Sequence, residues 1–146
     1  MNRNQHKALA CFRSGFGCAQ SVFSAYAPLL GLDRETALKV ACGCGGGMGQ
    51  LGEVCGALTG AFMLAGLKHG NTRKEDSAAK NKTYALVAEL AERFRAQHGD
   101  IRCRDLLGCE LNTKEGMAAF KDRKLLKLKC EKYVAAAAAL VEELLL

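Results

Sequence analysis

Apolar residues recur every third or fourth position along most of this chain, and no stretch alternates apolar with polar as a half-buried strand does. The pattern predicts an all-α protein. A first amphipathic helix spans about residues 3–13 and is broken by Ser14-Gly15-Phe16-Gly17. A second runs from Cys18 through Leu30, with Pro28 and Gly31 marking its end. Asp33, whose carboxylate can accept an orphan backbone N–H, caps a short helix over Arg34–Ala41. The stretch Cys42-Gly43-Cys44-Gly45-Gly46-Gly47-Met48-Gly49 reads as a loop. Residues 51–68 then form the most apolar helix of the chain, closed by Lys68-His69-Gly70. A polar linker, Asn71–Asp76, leads into a long amphipathic helix reaching Gln97, with Tyr84, Leu86, Val87, Leu90, Ala91 and Phe94 in its apolar stripe and Gly99 as its stop. A turn of helix around Cys103–Leu107 ends at Gly108, Thr113 with Gly116 starts another short segment, and a last helix covers about residues 125–145.

These elements predict a compact single-domain helical bundle of about five to seven helices, with residues 1–146 as one unit. A chain of this length buries roughly 68–70% of its unfolded surface, enough for a core without disulfide staples. The helix over 51–68 carries no charge from Val54 to Leu67, a run of 14 residues. Spanning a bilayer takes about 20, so this helix is expected at the centre of the bundle and no membrane span is expected. Gly52, Gly56 and Gly60 recur along it every fourth position. Each glycine lowers helix propensity by roughly 1 kcal/mol, so three in one row imply a smooth ridge against which another helix packs closely.

Charge changes the picture little. The net charge is +6, from 21 basic and 15 acidic residues, and the excess lies in Lys114–Lys132. That segment also holds Glu115, Asp122 and Glu131, together with Leu125, Leu126 and Leu128, as the solvated side of an amphipathic helix would. Nucleic acid is not an expected partner; the sharper alternative is an acidic redox partner protein. The N-terminus has a charged start, but Arg13, Gly15 and Gly17 interrupt any apolar leader, so a cytoplasmic protein is expected.

The candidate chemistry lies in eight cysteines. Thiols kept reduced in this number call for a metal, a redox cycle, or service as small core residues. Cys18, Cys55, Cys103 and Cys130 fall one per helical segment, and no Cys-x-x-Cys occurs. Any metal site must therefore be assembled from several helices. Four thiolates would satisfy a [2Fe–2S] or [4Fe–4S] cluster, or tetrahedral zinc. Cys18 and Cys55 lie near helix starts, where backbone N–H groups are expected to lower thiol pKa. Cys42 and Cys44, in Cys-x-Cys on a pliant loop, suit a soft metal such as Cu(I) or Zn(II) and are candidates to join the same site. Cys11 and Cys109 read as incidental.

Other motifs carry less. Gly47-Met48-Gly49-Gln50-Leu51-Gly52 matches a dinucleotide-binding spacing, but no strand precedes it. His6, His69 and His98 sit at polar helix ends, where a helix-terminal charge is the expected role. Glu53 is a candidate either to cap the central helix or to orient a thiol.

Gly17-Cys18-Ala19-Gln20, the loop Gly45-Gly46-Gly47-Met48-Gly49 leading to Cys55-Gly56-Ala57-Leu58-Thr59-Gly60, then Cys103-Arg104-Asp105-Leu106-Leu107-Gly108, and finally Cys130 together resemble the C_GCAxxG_C_C family of redox-active proteins. The resemblance implies a small helical domain with four family cysteines, here Cys18, Cys55, Cys103 and Cys130. A similar domain in split-Soret cytochromes implies an iron–sulfur cluster. In that family the glycine loop commonly has an aromatic–glycine stretch where this chain has Cys42-Gly43-Cys44. The expected function is redox chemistry or electron transfer at a cysteine-ligated centre, with iron–sulfur as the expected cofactor. The alternatives are metal-free thiol–disulfide exchange and a zinc or copper carrier. A homodimer sharing the centre is a further arrangement to test.

Overall fold

The computed structural model describes every residue from Met1 to Leu146 and contains eight α-helices and no β-strand. They are α1 (Arg3–Arg13), α2 (Cys18–Tyr26), α3 (Arg34–Ala41), α4 (Gly56–His69), α5 (Ser77–His98), α6 (Cys103–Leu107), α7 (Lys114–Asp122) and α8 (Glu131–Leu145). Short 3₁₀ turns follow α2 and α3, and a π-helical turn, Leu126–Cys130, runs directly into α8. The helix count exceeds the expected range because the segments around Cys103 and after Thr113 each close as separate helices. α6 stops at Gly108, whose φ is 70°, and α7 starts where the Thr113 side chain accepts from Gly116 N–H.

The caps account for most of the other boundaries. Asn2 and Gln5 form a reciprocal capping box at the head of α1. Asp33 accepts from Thr36 N–H at α3, and Asp76 accepts from Ala79 N–H at α5. Gly31 and Gly99 take left-handed backbone just past the preceding helical turns.

The central apolar helix is present but begins at Gly56 rather than near residue 51. Residues 52–55 are drawn into extended pairing with the segment before α6: Val54 bridges Arg102, Cys55 N–H donates to Ile101 at 2.8 Å, and Cys103 N–H donates to Glu53 at 2.6 Å. Gly52 therefore belongs to the loop, and the helical ridge consists of Gly56 and Gly60. At those two positions α2 comes as close as expected. A Cβ on Gly60 would stand 3.0 Å from the Ala19 carbonyl oxygen and 3.2 Å from Val22 Cβ.

α4 packs against α2, α5 and α8, while α2 also meets α1 and α3. Leu58 and Leu64 of α4, Val22 and Tyr26 of α2, Leu90 and Phe94 of α5, and Val134, Leu140 and Val141 of α8 are fully buried between them. Tyr26 buries its ring and sends its hydroxyl to Glu142 at 2.9 Å. Arg13–Glu131 at 2.7 Å fastens the end of α1 to the start of α8. No helix is long and apolar enough to cross a membrane.

Candidate functional site

Where α1 hands over to α2, the glycine loop, α6, α7 and the π-helical turn meet around one cavity of about 230 Å³. Cys18, Cys55, Cys103 and Cys130 all line it. Cys18 is the first residue of α2, Cys55 immediately precedes α4, Cys103 is the first residue of α6, and Cys130 joins the π-helical turn to α8. Four distant parts of the sequence thus deliver one sulfur each to the same space. All eight cysteines are free thiols.

The residues around each cysteine explain how it is held. Gln20 accepts from Gly17 N–H at 3.0 Å and donates to the Leu38 carbonyl at 3.0 Å, which fixes the entry to α2 and ties it to α3. Gly56 leaves room for sulfur: a Cβ there would stand 2.5 Å from Cys18 Sγ and 2.7 Å from the Cys44 carbonyl oxygen. Gly47 does the same for Cys103, whose Cβ would lie 2.7 Å from an added methyl. Gly47 and Gly56 thus leave free the space that the Cys103 and Cys18 side chains occupy.

The loop between α3 and α4 is wound the wrong way for an L-peptide. Gly46, Gly47, Met48, Gly49 and Gln50 hold consecutive φ values of 64°, 70°, 69°, 55° and 66°. Gly49 N–H donates to Gly43 at 2.8 Å and Glu53 N–H to Gly47 at 2.9 Å, closing the coil on itself. This leaves the Gly46 backbone hydrogen-bonded to the Cys18 sulfur.

Burial and hydrogen bonding pull the thiols in opposite directions. Burial pushes Cys18 up, although backbone groups of Gly46, Ala19 and Ala57 favour its thiolate. Cys55 is also raised, by burial and then by the neighbouring Cys18, against hydrogen bonds from Ala57 and Leu58 at the start of α4. Cys103 and Cys130 are each pushed up to about 12, first by burial and then by proximity to Cys18. The lowered pKa expected from helix starts at Cys18 and Cys55 is therefore overturned. The N–H groups are in place, but desolvation of a bare thiolate outweighs them.

The other candidates lie apart. Cys42 is exposed and Cys44 half-buried, and neither lines the cavity. Cys11 is half-buried with its sulfur 3.9 Å from the Ser24 hydroxyl, on a second groove. Cys109 is half-buried and near enough to Cys103 and Cys130 to raise both. Glu53 neither caps α4 nor lines the cavity; its carboxylate faces Arg104 at 3.7 Å. No three His, Cys, Asp or Glu side chains are gathered as the ligand set of a metal ion.

Sequence reasoning passed over Tyr133 and Gln50, which both line the cavity. Tyr133 donates to the Leu106 carbonyl at 3.2 Å, and Lys129 Nζ donates to the same oxygen at 3.0 Å, so two side chains of one helix pin α6. The available signal was spacing: Tyr133 follows Cys130 by three residues and shares its helix face. His98 packs edge-on to Tyr133 at 5.1 Å, and its buried Nε2 has no hydrogen-bond partner. Burial lowers its pKa, so it is a stacked neutral ring rather than the charged helix end expected.

A family model described as "Putative redox-active protein (C_GCAxxG_C_C)" matches residues 16–144. Neither a curated protein nor a solved structure matches the chain.

Proposed function

Because the chain belongs to the C_GCAxxG_C_C family of redox-active proteins, we propose that it transfers electrons through an iron–sulfur centre held by Cys18, Cys55, Cys103 and Cys130. The observation that carries this reading is the convergence of those four cysteines, one from each of four distant segments, on a single cavity. A mononuclear zinc or copper ion would need sulfurs about 2.3 Å from one point. Four sulfurs that line one cavity from different segments would suit a polynuclear core, to which each could supply one thiolate. The raised thiol pKa values support the same choice. A bare nucleophilic thiolate is disfavoured here, which counts against metal-free thiol–disulfide exchange, whereas bonding to iron stabilises the deprotonated sulfur.

When bound, such a centre would supply one-electron storage at a potential set by charge, burial and hydrogen bonds to sulfur. The chain's own part is to hold and tune. Backbone groups of Ala57 and Leu58 donate to Cys55, and those of Gly46 and Ala19 to Cys18, favouring the more negative state of the site. Tyr133 and Lys129 fix α6 and with it Cys103.

Anaerobically purified protein is expected to contain iron and acid-labile sulfide in stoichiometric amounts and to show visible charge-transfer absorption. Serine replacement of Cys18, Cys55, Cys103 or Cys130 should abolish or sharply reduce both, while Cys42→Ser and Cys44→Ser leave them in place. Colourless, metal-free protein that cycles a two-electron disulfide would sink the proposal. Retention of zinc or copper with all thiols reduced would replace it with a carrier.

A further inference from the structure

The cavity has more wall than four sulfurs require, and the remainder is carbon. Phe12, Phe16, Leu111, Met117, Phe120 and Leu126 line it from α1, the α1–α2 link, the α6–α7 link, α7 and the π-helical turn. None of these segments carries a family cysteine except the π-helical turn, which ends at Cys130. No charged side chain lines the cavity at all. The lining grades from buried to exposed. Cys55, Cys103, Phe12 and Leu111 are buried and Cys18 and Cys130 half-buried, whereas Phe16 is 37% exposed, Leu126 is 53% exposed, and Met117 and Phe120 are partly exposed. Phe16 and Leu126 thus put aromatic and aliphatic carbon at the solvent-facing edge, beside the exposed Gln50.

A site whose only task is to hold a centre for outer-sphere electron transfer needs no open apolar vestibule. Solvent-facing carbon is retained at small concave sites where a ligand covers it. We propose that this vestibule binds one small, uncharged, largely apolar molecule beside the cysteine centre, of roughly single-ring size. The size follows from volume: an apolar cavity of about 150 Å³ accepts benzene, and this one measures about 230 Å³, with part reserved for the centre. The charge follows from the lining, because burying a carboxylate or ammonium with no opposite charge to meet it is strongly unfavourable. Gln50 is the polar side chain of the lining, besides sulfur, that could orient such a ligand, since the Tyr133 hydroxyl is committed to the Leu106 carbonyl. The inference rests on the cavity walls and adds a ligand site to the proposed redox function.

Benzyl alcohol and benzoate, alike in size and different in charge, are suitable probes. Equilibrium dialysis of the full chain should give one equivalent of saturably bound benzyl alcohol and at least tenfold weaker binding of benzoate, in both the metal-loaded and the metal-depleted protein. Leu126→Trp, at a half-exposed position that tolerates bulk, and Met117→Trp should each weaken benzyl alcohol binding at least tenfold while leaving iron, sulfide and helical circular dichroism unchanged. Absence of saturable binding, equal binding of both probes, or indifference to both tryptophans would overturn the proposal. So would binding that appears only after metal is stripped, because the volume would then belong to the centre alone. Iron and sulfide analysis of the same samples separates the two readings: metal-free protein that still binds benzyl alcohol retains the vestibule and loses the iron–sulfur centre.

Discussion

Met48 and Gln50 sit in left-handed backbone among glycines, at φ of 69° and 66°. For an L-residue with a side chain that conformation costs roughly 1–2 kcal/mol. Replacing Met48 with glycine should therefore leave stability unchanged or raise it, against the usual loss for glycine in ordered structure. Gly49→Ala should lose about 1 kcal/mol, although no heavy atom approaches its would-be methyl closer than 4.0 Å. Denaturant midpoints of the two variants check both signs. Gly56→Ala tests crowding instead, since the new methyl would collide with Cys18 Sγ and the Cys44 carbonyl. Overpacking of this kind costs about 1–3 kcal/mol, and the displaced sulfur should lower iron content even where the variant folds. Tyr133→Phe keeps the ring and removes one of two donors to the Leu106 carbonyl, so a loss of about 1 kcal/mol is expected in thermal unfolding.

The π-helical turn decides how Cys130 meets the cavity. Entered from Lys124, itself left-handed at φ 54°, it widens the helix by one residue before α8 begins. Such turns mark places where a helix face is re-aimed. Deleting Lys127 should restore α-helical register and rotate Leu126 by about 100° relative to Cys130. Far-ultraviolet circular dichroism should then stay helical while bound iron falls; unchanged iron content would show that the turn plays no part in the site. The sequence makes no announcement of this turn, because one extra residue among Leu125, Leu126 and Leu128 still looks like an amphipathic helix. The start of α4 was hidden for a different reason: partners nearly fifty residues away, Ile101 and Arg102, draw residues 54 and 55 out of a stretch whose composition suits a helix. What is encoded locally was legible, including the caps at Asp33 and Thr113 and the stops at Gly31, Gly99 and Gly108. Four cysteines spaced one per segment pointed to convergence, but the carbon rim, the role of Tyr133 and the position of Cys42 outside the cavity depend on how the helices dock.

At the scale of the whole molecule, burial links the thiols to stability. In metal-depleted protein Cys103 and Cys130 titrate at about 12 when folded, while an unfolded cysteine titrates near about 8.5. Between those values the folded state keeps protons that the unfolded state gives up. This contribution is therefore complete below about pH 8.5 and is lost as pH rises toward about 12. Urea midpoints of the metal-depleted chain should fall above about pH 8.5, and fall less in Cys103→Ala and Cys130→Ala; a midpoint that rose with pH would contradict the burial of the thiols. The same spread of cysteines bears on how the protein is made. Cys18 leaves the ribosome long before Cys130 does. Any group held by all four can be completed only after Cys130 has emerged, so the earlier three cysteines must wait for the last before the group is installed.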